Sequence, residues 1–228
     1  MIPNPYPGRF IVMEGLDGSG LSTQSGLLLK RIVEKVQVRA ELTKEPTDGP
    51  AGAQIRMALR HRLKVDEHTL ALLFAADRMD HLCELIKPRL KDGVHVICDR
   101  YYLSSFAYQS VGVQDLDWLI QLNSKFIVPD LTIVLQVPST LCLSNILEGR
   151  FGVERYEKEA ELEKVWEGYL KVIPLLKSRG ERIEIIDASN VSIEDVRRRV
   201  WDICKDLFKN GKNRNRPDQE IEQPRLLG

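Results

Sequence analysis

The sequence predicts an α/β fold in which helices cover both faces of a five-stranded parallel sheet. Two observations carry this prediction: five short apolar runs alternate with longer segments of helical period, and a glycine-rich loop directly follows the first run. The chain has 228 residues, of which 43% are hydrophobic, so it suits one domain with a substantial core. We expect that domain to span residues 8–209 and the polar segment 210–228 to be disordered.

The strands are the short apolar runs, each bounded by turn-forming or polar residues. We place them at residues 10–13, 38–43, 94–98, 131–137 and 182–187. The second, third and fourth runs are almost continuously apolar, which is typical of strands buried on both faces of a sheet.

The helices are the longer segments with a period near 3.6 residues. They are predicted at 22–36, 51–59, 66–90 and 193–208, with a bend or break near Pro88 in the third. The apolar face of the first helix consists of Leu27, Leu28, Ile32 and Val33.

Composition and charge exclude several classes of function. The 33 basic residues are balanced by 33 acidic ones, whereas a general binder of nucleic acid or membrane surfaces needs a clustered basic excess. No apolar run reaches membrane-spanning length, and the first residues do not resemble a signal peptide. Cys83, Cys98, Cys142 and Cys204 form no C-x-x-C pair, so we expect buried, reduced thiols without metal in a cytoplasmic protein.

Residues 15–22 match a phosphate-binding loop at every position but one. The pattern is Gly, four residues, Gly, Lys, then Ser or Thr, and Leu21 stands where the lysine belongs. Such a loop between a strand and a helix directs backbone N–H groups and the positive end of the helix dipole at a phosphate. An ordinary strand–helix turn is the alternative. The motif predicts the three-layer P-loop NTPase fold. The predicted ATP site is formed by Gly15, Leu16, Asp17, Gly18, Ser19, Gly20, Leu21, Ser22 and Thr23.

Leu21 leaves three interpretations open. In the first, neighbouring cations (Arg150, Arg155 or Lys44) substitute for the missing lysine. In the second, the protein binds nucleotides but transfers phosphate poorly. In the third, Leu21 is an engineered or sequencing change.

Two further clusters point to the same chemistry. Asp99 and Arg100 follow the third strand and therefore lie at the sheet edge where open parallel sheets bind ligands. We expect Asp99, together with the hydroxyl of Ser22, to hold Mg²⁺ and Arg100 to bind phosphate; a surface ion pair is the alternative. Phe74 and Arg78 share a helix face and suit a nucleobase, although a core aromatic beside a solvated arginine is the simpler alternative.

Residues 148–157 have the composition of a short closing lid. Arg150 and Arg155 flank a Phe-Gly step, and such arginines neutralise charge on a transferred phosphoryl group. A charged connection between two helices is the alternative.

Together these motifs resemble the thymidylate kinase family of P-loop nucleoside-monophosphate kinases, from residue 10 to about residue 208. The residues that carry the resemblance are Gly15 to Gly20, Thr43 to Pro46, Phe74 to Arg78, Asp99 to Tyr101, Ala107 to Gln109 and the lid segment 151–157.

The resemblance implies transfer of the γ-phosphoryl group of ATP to dTMP, with Mg²⁺. By this analogy Phe74 stacks on thymine, Arg78 bonds its carbonyl edge and Arg100 grips the dTMP phosphate. Ser105 and Gln109 line the base pocket, Tyr108 closes on the sugar, and Asp17 reaches the 3′-hydroxyl. The resemblance also implies catalytic roles for Arg150, Arg155 and Asp17, and a homodimer. No nucleic-acid or membrane partner is expected.

Overall fold

The structure, a computed structural model of the chain, describes residues 1–149, 155–156 and 158–208. Arg150, most of the predicted lid and the predicted polar tail lie outside these residues.

The described residues contain the predicted five-stranded parallel sheet. Its strand order is β3-β4-β2-β6-β7, and β1 and β5 form a separate parallel pair. The strands are β1 (Ile2–Pro3), β2 (Phe10–Gly15), β3 (Ala40–Lys44), β4 (His95–Asp99), β5 (Ile127–Val128), β6 (Leu131–Gln136) and β7 (Ile183–Asp187). Because β2 lies between β4 and β6, the loop that follows it is at the centre of the carboxyl edge.

Helices connect these strands. The helices are α1 (Leu21–Arg31), α2 (Pro50–Leu59), α3 (Glu67–His81), α4 (Lys87–Lys91), α5 (Tyr102–Val113), α6 (Leu116–Leu122), α7 (Ser139–Gly149), α8 (Glu159–Ser178) and α9 (Ile193–Cys204). Two π-helical segments, Ile32–Val36 and Leu82–Ile86, extend α1 and join α3 to α4, and a 3₁₀ turn, Lys205–Phe208, follows α9. None of the described helices has the length and apolar run that crossing a membrane requires.

The sheet is covered on both faces, which gives the three predicted layers. Alternate residues of β2 point to opposite faces. Ile11 and Met13 belong to an apolar cluster beneath α1 and α9. Phe10 and Val12 belong to the larger cluster that includes α3, α5 and α8. All four side chains are at most 1% exposed, so β2 is the centre of the core.

Several expectations are corrected by the structure. The second strand is not buried on both faces, because β3 is an edge strand, and Leu42 within it is 36% exposed. Val33 is also exposed, since it lies in the π-helical turn where the helix no longer follows the 3.6-residue period. The irregularity expected near Pro88 is present, by contrast: the 66–90 helix changes to π-helical geometry before Pro88, which lies in the first turn of α4. Cys83 is exposed, whereas the other three cysteines are buried, and all four are free.

Candidate functional site

The glycine-rich loop is fixed by contacts with α7. Gly18 has φ 80°, and a Cβ there would lie 2.3 Å from the carbonyl oxygen of Cys142 in α7. The side chain of Asn145 donates a hydrogen bond of 2.8 Å to the Gly18 carbonyl. Gly20 has φ 87° and precedes α1, but a Cβ there would meet open space. Gly18 is therefore required by both conformation and packing, and Gly20 by conformation alone.

Leu21 begins α1 and packs into the core. Its side chain is 5% exposed and belongs to the apolar cluster of Ile11, Leu28 and Leu135, whereas the adjacent Ser22 and Thr23 are exposed. The position that carries a cation in the usual motif is thus part of the hydrophobic interior. No residue of the loop itself compensates, because none of residues 15–22 is basic.

Ser22 and Asp99 meet at the start of α1, as the sequence predicts. The Ser22 hydroxyl donates a hydrogen bond of 2.6 Å to Asp99 Oδ2. A hydroxyl and a carboxylate at this distance offer the oxygen ligands that Mg²⁺ prefers, beside the loop where phosphates would lie. The donor set therefore fits this metal.

Arg100 connects the loop to the end of β4. It has φ 74°, which is uncommon for a residue other than glycine, and its N–H donates to the Met13 carbonyl at 2.9 Å. Its guanidinium donates to the Gly15 carbonyl at 2.8 Å and to Asp17 Oδ1 at 2.9 Å. Tyr108 donates its hydroxyl proton to Asp17 Oδ2 at 3.0 Å. Asp17 thus joins the phosphate loop to two side chains that lie outside it.

A cavity of about 230 Å³ opens beside this group. All seven residues that the resemblance assigns to dTMP line it: Asp17, Phe74, Arg78, Arg100, Ser105, Tyr108 and Gln109. Five cationic side chains line the same cavity, against the two carboxylates Asp17 and Glu45; the cations are Lys44, Arg56, Arg60, Arg78 and Arg100. This excess of positive charge suits a phosphorylated ligand.

Arg78 is buried at the base of the cavity, with only 1% of its surface exposed. Its Nε donates to Glu45 Oε2 at 2.8 Å, and its terminal nitrogens donate to Asn123 Oδ1 at 2.6 Å and to Ser105 Oγ at 2.9 Å. The simpler expectation of a solvated arginine therefore fails. A buried guanidinium with three fixed partners is rigid, which is what recognition of a planar ligand edge requires.

A second network lies behind Arg78. His81 is hydrogen-bonded to Glu45 Oε1 at 3.1 Å through Nδ1 and to Thr43 Oγ1 at 2.7 Å through Nε2. Cys98 is close enough to Glu45 and His81 for the three to resemble a metal site, but its thiol donates to the Arg100 carbonyl. Burial raises the thiol pKa of Cys98 well above its ordinary value, so the thiol stays protonated. Every potential ligand already has a partner, and we assign the network to holding Glu45 and Arg78 in place.

Tyr156 lines the cavity, and Arg155 precedes it in the sequence. The Arg155 N–H donates to the Leu59 carbonyl at 3.0 Å, and its guanidinium lies 2.6 Å from Glu67 Oε1. The Tyr156 hydroxyl donates to Glu67 Oε2 at 2.9 Å, and its ring contacts that of Tyr108 edge-on, with centroids 5.4 Å apart. Burial, and then Glu67, raise the pKa of Tyr156, so its hydroxyl remains a donor.

Comparison with known proteins agrees with this geometry. A sequence model of the thymidylate kinase family matches residues 13–200. The chain belongs to that family. A probable thymidylate kinase of Thermococcus gammatolerans is 42% identical over 213 residues, which cover 90% of this chain and 99% of that protein. The thymidylate kinase of Staphylococcus haemolyticus is 35% identical, with 88% of this chain and 98% of the relative covered. The solved structure of the Candida albicans thymidylate kinase superposes with a TM-score of 0.75 at 27% identity, covering 88% of this chain and 92% of that one.

Membership of the thymidylate kinase family supports the prediction that the protein is a nucleoside-monophosphate kinase. Two residues of the site, Glu14 and Glu67, were not predicted from the sequence. Glu14 is fully buried beneath the loop and accepts hydrogen bonds from the backbone of Tyr101 and Ser104 and from the Tyr169 hydroxyl. Burial raises the pKa of Glu14 above its ordinary value. A lone glutamate that ends an apolar strand was the available signal. Glu67 gave no such signal, since it resembles any acidic residue in the first turn of a helix.

Proposed function

We propose that the protein transfers the γ-phosphoryl group of ATP to dTMP, with Mg²⁺, and releases dTDP and ADP. The observation that carries this proposal is the cavity, where seven residues with predicted roles towards dTMP converge beside the phosphate loop. The loop and the cavity share Asp17, so donor and acceptor would meet there.

The inner end of the cavity suits the thymine base. Phe74 lines it with an aromatic face, and stacking of a base on such a face is worth about 1–3 kcal/mol. Arg78 has donors left for a carbonyl oxygen, since each terminal nitrogen uses one of its two N–H groups in the hydrogen bonds described above. Gln109 Oε1 is buried without a partner among the described residues, and it would accept the N–H of an imide such as thymine.

The outer end suits the acceptor phosphate and the sugar. Arg100 reaches the space between the loop and the cavity and would bind the phosphate of dTMP. Asp17 would accept a hydrogen bond from the 3′-hydroxyl of the sugar. Tyr108, fixed by Asp17 and by its edge contact with Tyr156, would limit the room beside the sugar.

The donor side is formed by the loop and the start of α1. Backbone N–H groups of Gly15 to Thr23 would hold the phosphates of ATP, and Ser22 and Asp99 would hold Mg²⁺. Held by these two side chains, the metal would supply positive charge that offsets the charge of the phosphates. We propose that Arg150 and Arg155 neutralise further charge during transfer. The catalytic contribution of Asp17 would be to orient the acceptor sugar.

The test is an assay that couples ADP release to an optical signal, with dTMP, ATP and Mg²⁺, repeated with dUMP, dCMP and dGMP. We expect turnover with dTMP to exceed that with the other three. Phe74→Ala should raise the KM for dTMP by about tenfold or more, because the stacking energy is lost. Absence of turnover above background at high enzyme concentration would refute the proposal.

Leu21 favours a second candidate, a nucleotide-binding protein that transfers phosphate poorly or not at all. Its burial leaves the loop without a cation, although the acceptor cavity is intact. This candidate predicts that calorimetry detects dTMP binding while ATP binding is weak. Robust turnover would exclude it.

We also propose that the protein forms a homodimer through the outer face of α3. Leu72 and Met79 are 50% and 38% exposed, and Ala76 and Cys83 extend the same stripe at spacings of three and four residues. Light scattering after gel filtration should give the mass of two chains, and Leu72→Glu should yield monomers. Ile193→Glu is the matched control, because Ile193 is equally apolar and 63% exposed on another helix.

A further inference from the structure

Glu67 lies where three elements of the cavity wall meet. As the first residue of α3, it follows Asp66, which caps the helix by accepting from the Thr69 N–H. Both of its carboxylate oxygens are used, one by Arg155 at 2.6 Å and one by the Tyr156 hydroxyl at 2.9 Å. One carboxylate therefore fixes two consecutive residues of a segment that is distant in sequence.

The neighbouring helix leaves room for this side chain. A Cβ at Gly112 in α5 would lie 2.2 Å from Glu67 Cγ and 2.6 Å from its Cδ. The Glu67 side chain thus crosses α5 at a residue without a side chain, and any larger residue there would displace it. This packing is independent of the two hydrogen bonds and defines the same position for the carboxylate.

Tyr156 connects Glu67 to the cavity. It is 6% exposed, lines the cavity and meets Tyr108 edge-on. Glu67 itself does not line the cavity, so it would act through the tyrosine.

We propose that Glu67 is a positioning residue that holds Tyr156 in the wall of the acceptor cavity and so sets the affinity for the nucleoside monophosphate. The inference rests on the proposed function of this cavity. It assigns to Glu67 a role in acceptor binding and none in binding ATP.

The experiment measures KM for dTMP and for ATP separately in the unaltered protein and in Glu67→Ala, Glu67→Gln, Gly112→Ala and Tyr156→Phe. Glu67→Ala should raise the KM for dTMP about tenfold, the order expected for a lost charge-assisted hydrogen bond, and change the KM for ATP less than twofold. Gly112→Ala should act in the same direction. Glu67→Gln should restore part of the affinity, because its amide oxygen still accepts from Tyr156.

Tyr156→Phe keeps the ring and removes only the hydroxyl that Glu67 accepts. In the double variant its effect and that of Glu67→Ala should sum to less than the two separate effects, because both single changes remove the hydrogen bond between Tyr156 and Glu67. An unchanged KM for dTMP in folded Glu67→Ala, equal changes in both KM values, or full additivity with Tyr156→Phe would overturn the proposal. If the unaltered protein neither binds dTMP in calorimetry nor turns it over, the proposed function fails instead.

Discussion

Leu21→Lys tests how the phosphate loop works without its cation. The leucine is 5% exposed in an apolar cluster, and full burial of such a side chain contributes about 1.5–3 kcal/mol. A lysine would keep some of these contacts through its stem but would place a positive charge in the first turn of α1, which costs about 0.3–1 kcal/mol. We therefore expect the unliganded variant to lose about 2–3 kcal/mol and its Tm to fall by roughly 4–12 °C.

The same substitution should increase activity. A lost electrostatic donor typically lowers the rate by about 10²–10³-fold, and other cations of the site compensate only in part. We expect kcat/KM for ATP to rise at least about tenfold in the coupled assay. Triphosphate binding should also recover part of the lost stability, since the ammonium group then has a partner.

Leu21→Met is the matched control, because it keeps the volume and polarity of the side chain. It should change Tm little and leave kcat/KM for ATP unchanged. A folded Leu21→Lys protein without a gain in kcat/KM would refute the reasoning that charge is missing from the loop. An unchanged Tm would refute the assigned packing of Leu21.

Three other predictions follow from the geometry of the structure. Gly18→Ala should abolish ATP binding in calorimetry, because the added Cβ would overlap a backbone carbonyl of α7 at 2.3 Å. Gly20→Ala, the control, should lower the free energy of unfolding by only about 1 kcal/mol, measured by thermal unfolding. Arg78→Met should lower the free energy of unfolding by about 3–5 kcal/mol, since Glu45 is left buried without its cation; a loss below 1 kcal/mol in denaturant titration would contradict this. Burial, with a smaller contribution from Arg9, lowers the pKa of His95 from 6.5 to about 4, so the unfolded state binds the extra proton between these values. The free energy of unfolding should therefore be greatest above pH 6.5 and fall by up to about 3 kcal/mol towards pH 4. His95→Asn should remove that part of the pH dependence.

The sheet and the position of the glycine-rich loop could be predicted because each depends on a short stretch of sequence. Apolar runs of four to seven residues located the five strands, and the loop followed the first of them. The edge position of β3 could not be predicted in this way, since it depends on strand order and not on composition. Helix α5 was missed because it is buried around most of its circumference and so has little amphipathic contrast.

The partners of the site residues could not be predicted. Arg78 takes its three acceptors from Glu45, Ser105 and Asn123, which lie 27 to 45 residues away in the sequence. Local patterns do not encode such distances, so the sequence favoured a solvated arginine. Glu67 illustrates the same limit, because its position depends on packing against Gly112, which is distant in the sequence.

The contacts of Asp17 couple the two nucleotide sites. Its carboxylate belongs to the loop that would hold ATP, yet its hydrogen-bond partners, Arg100 and Tyr108, line the acceptor cavity. A monophosphate that draws Arg100 away from Asp17 alters the loop, and a triphosphate that shifts the loop alters Arg100. Linkage then requires each nucleotide to change the affinity for the other by the same factor, so the coupling between the two sites would depend on one carboxylate.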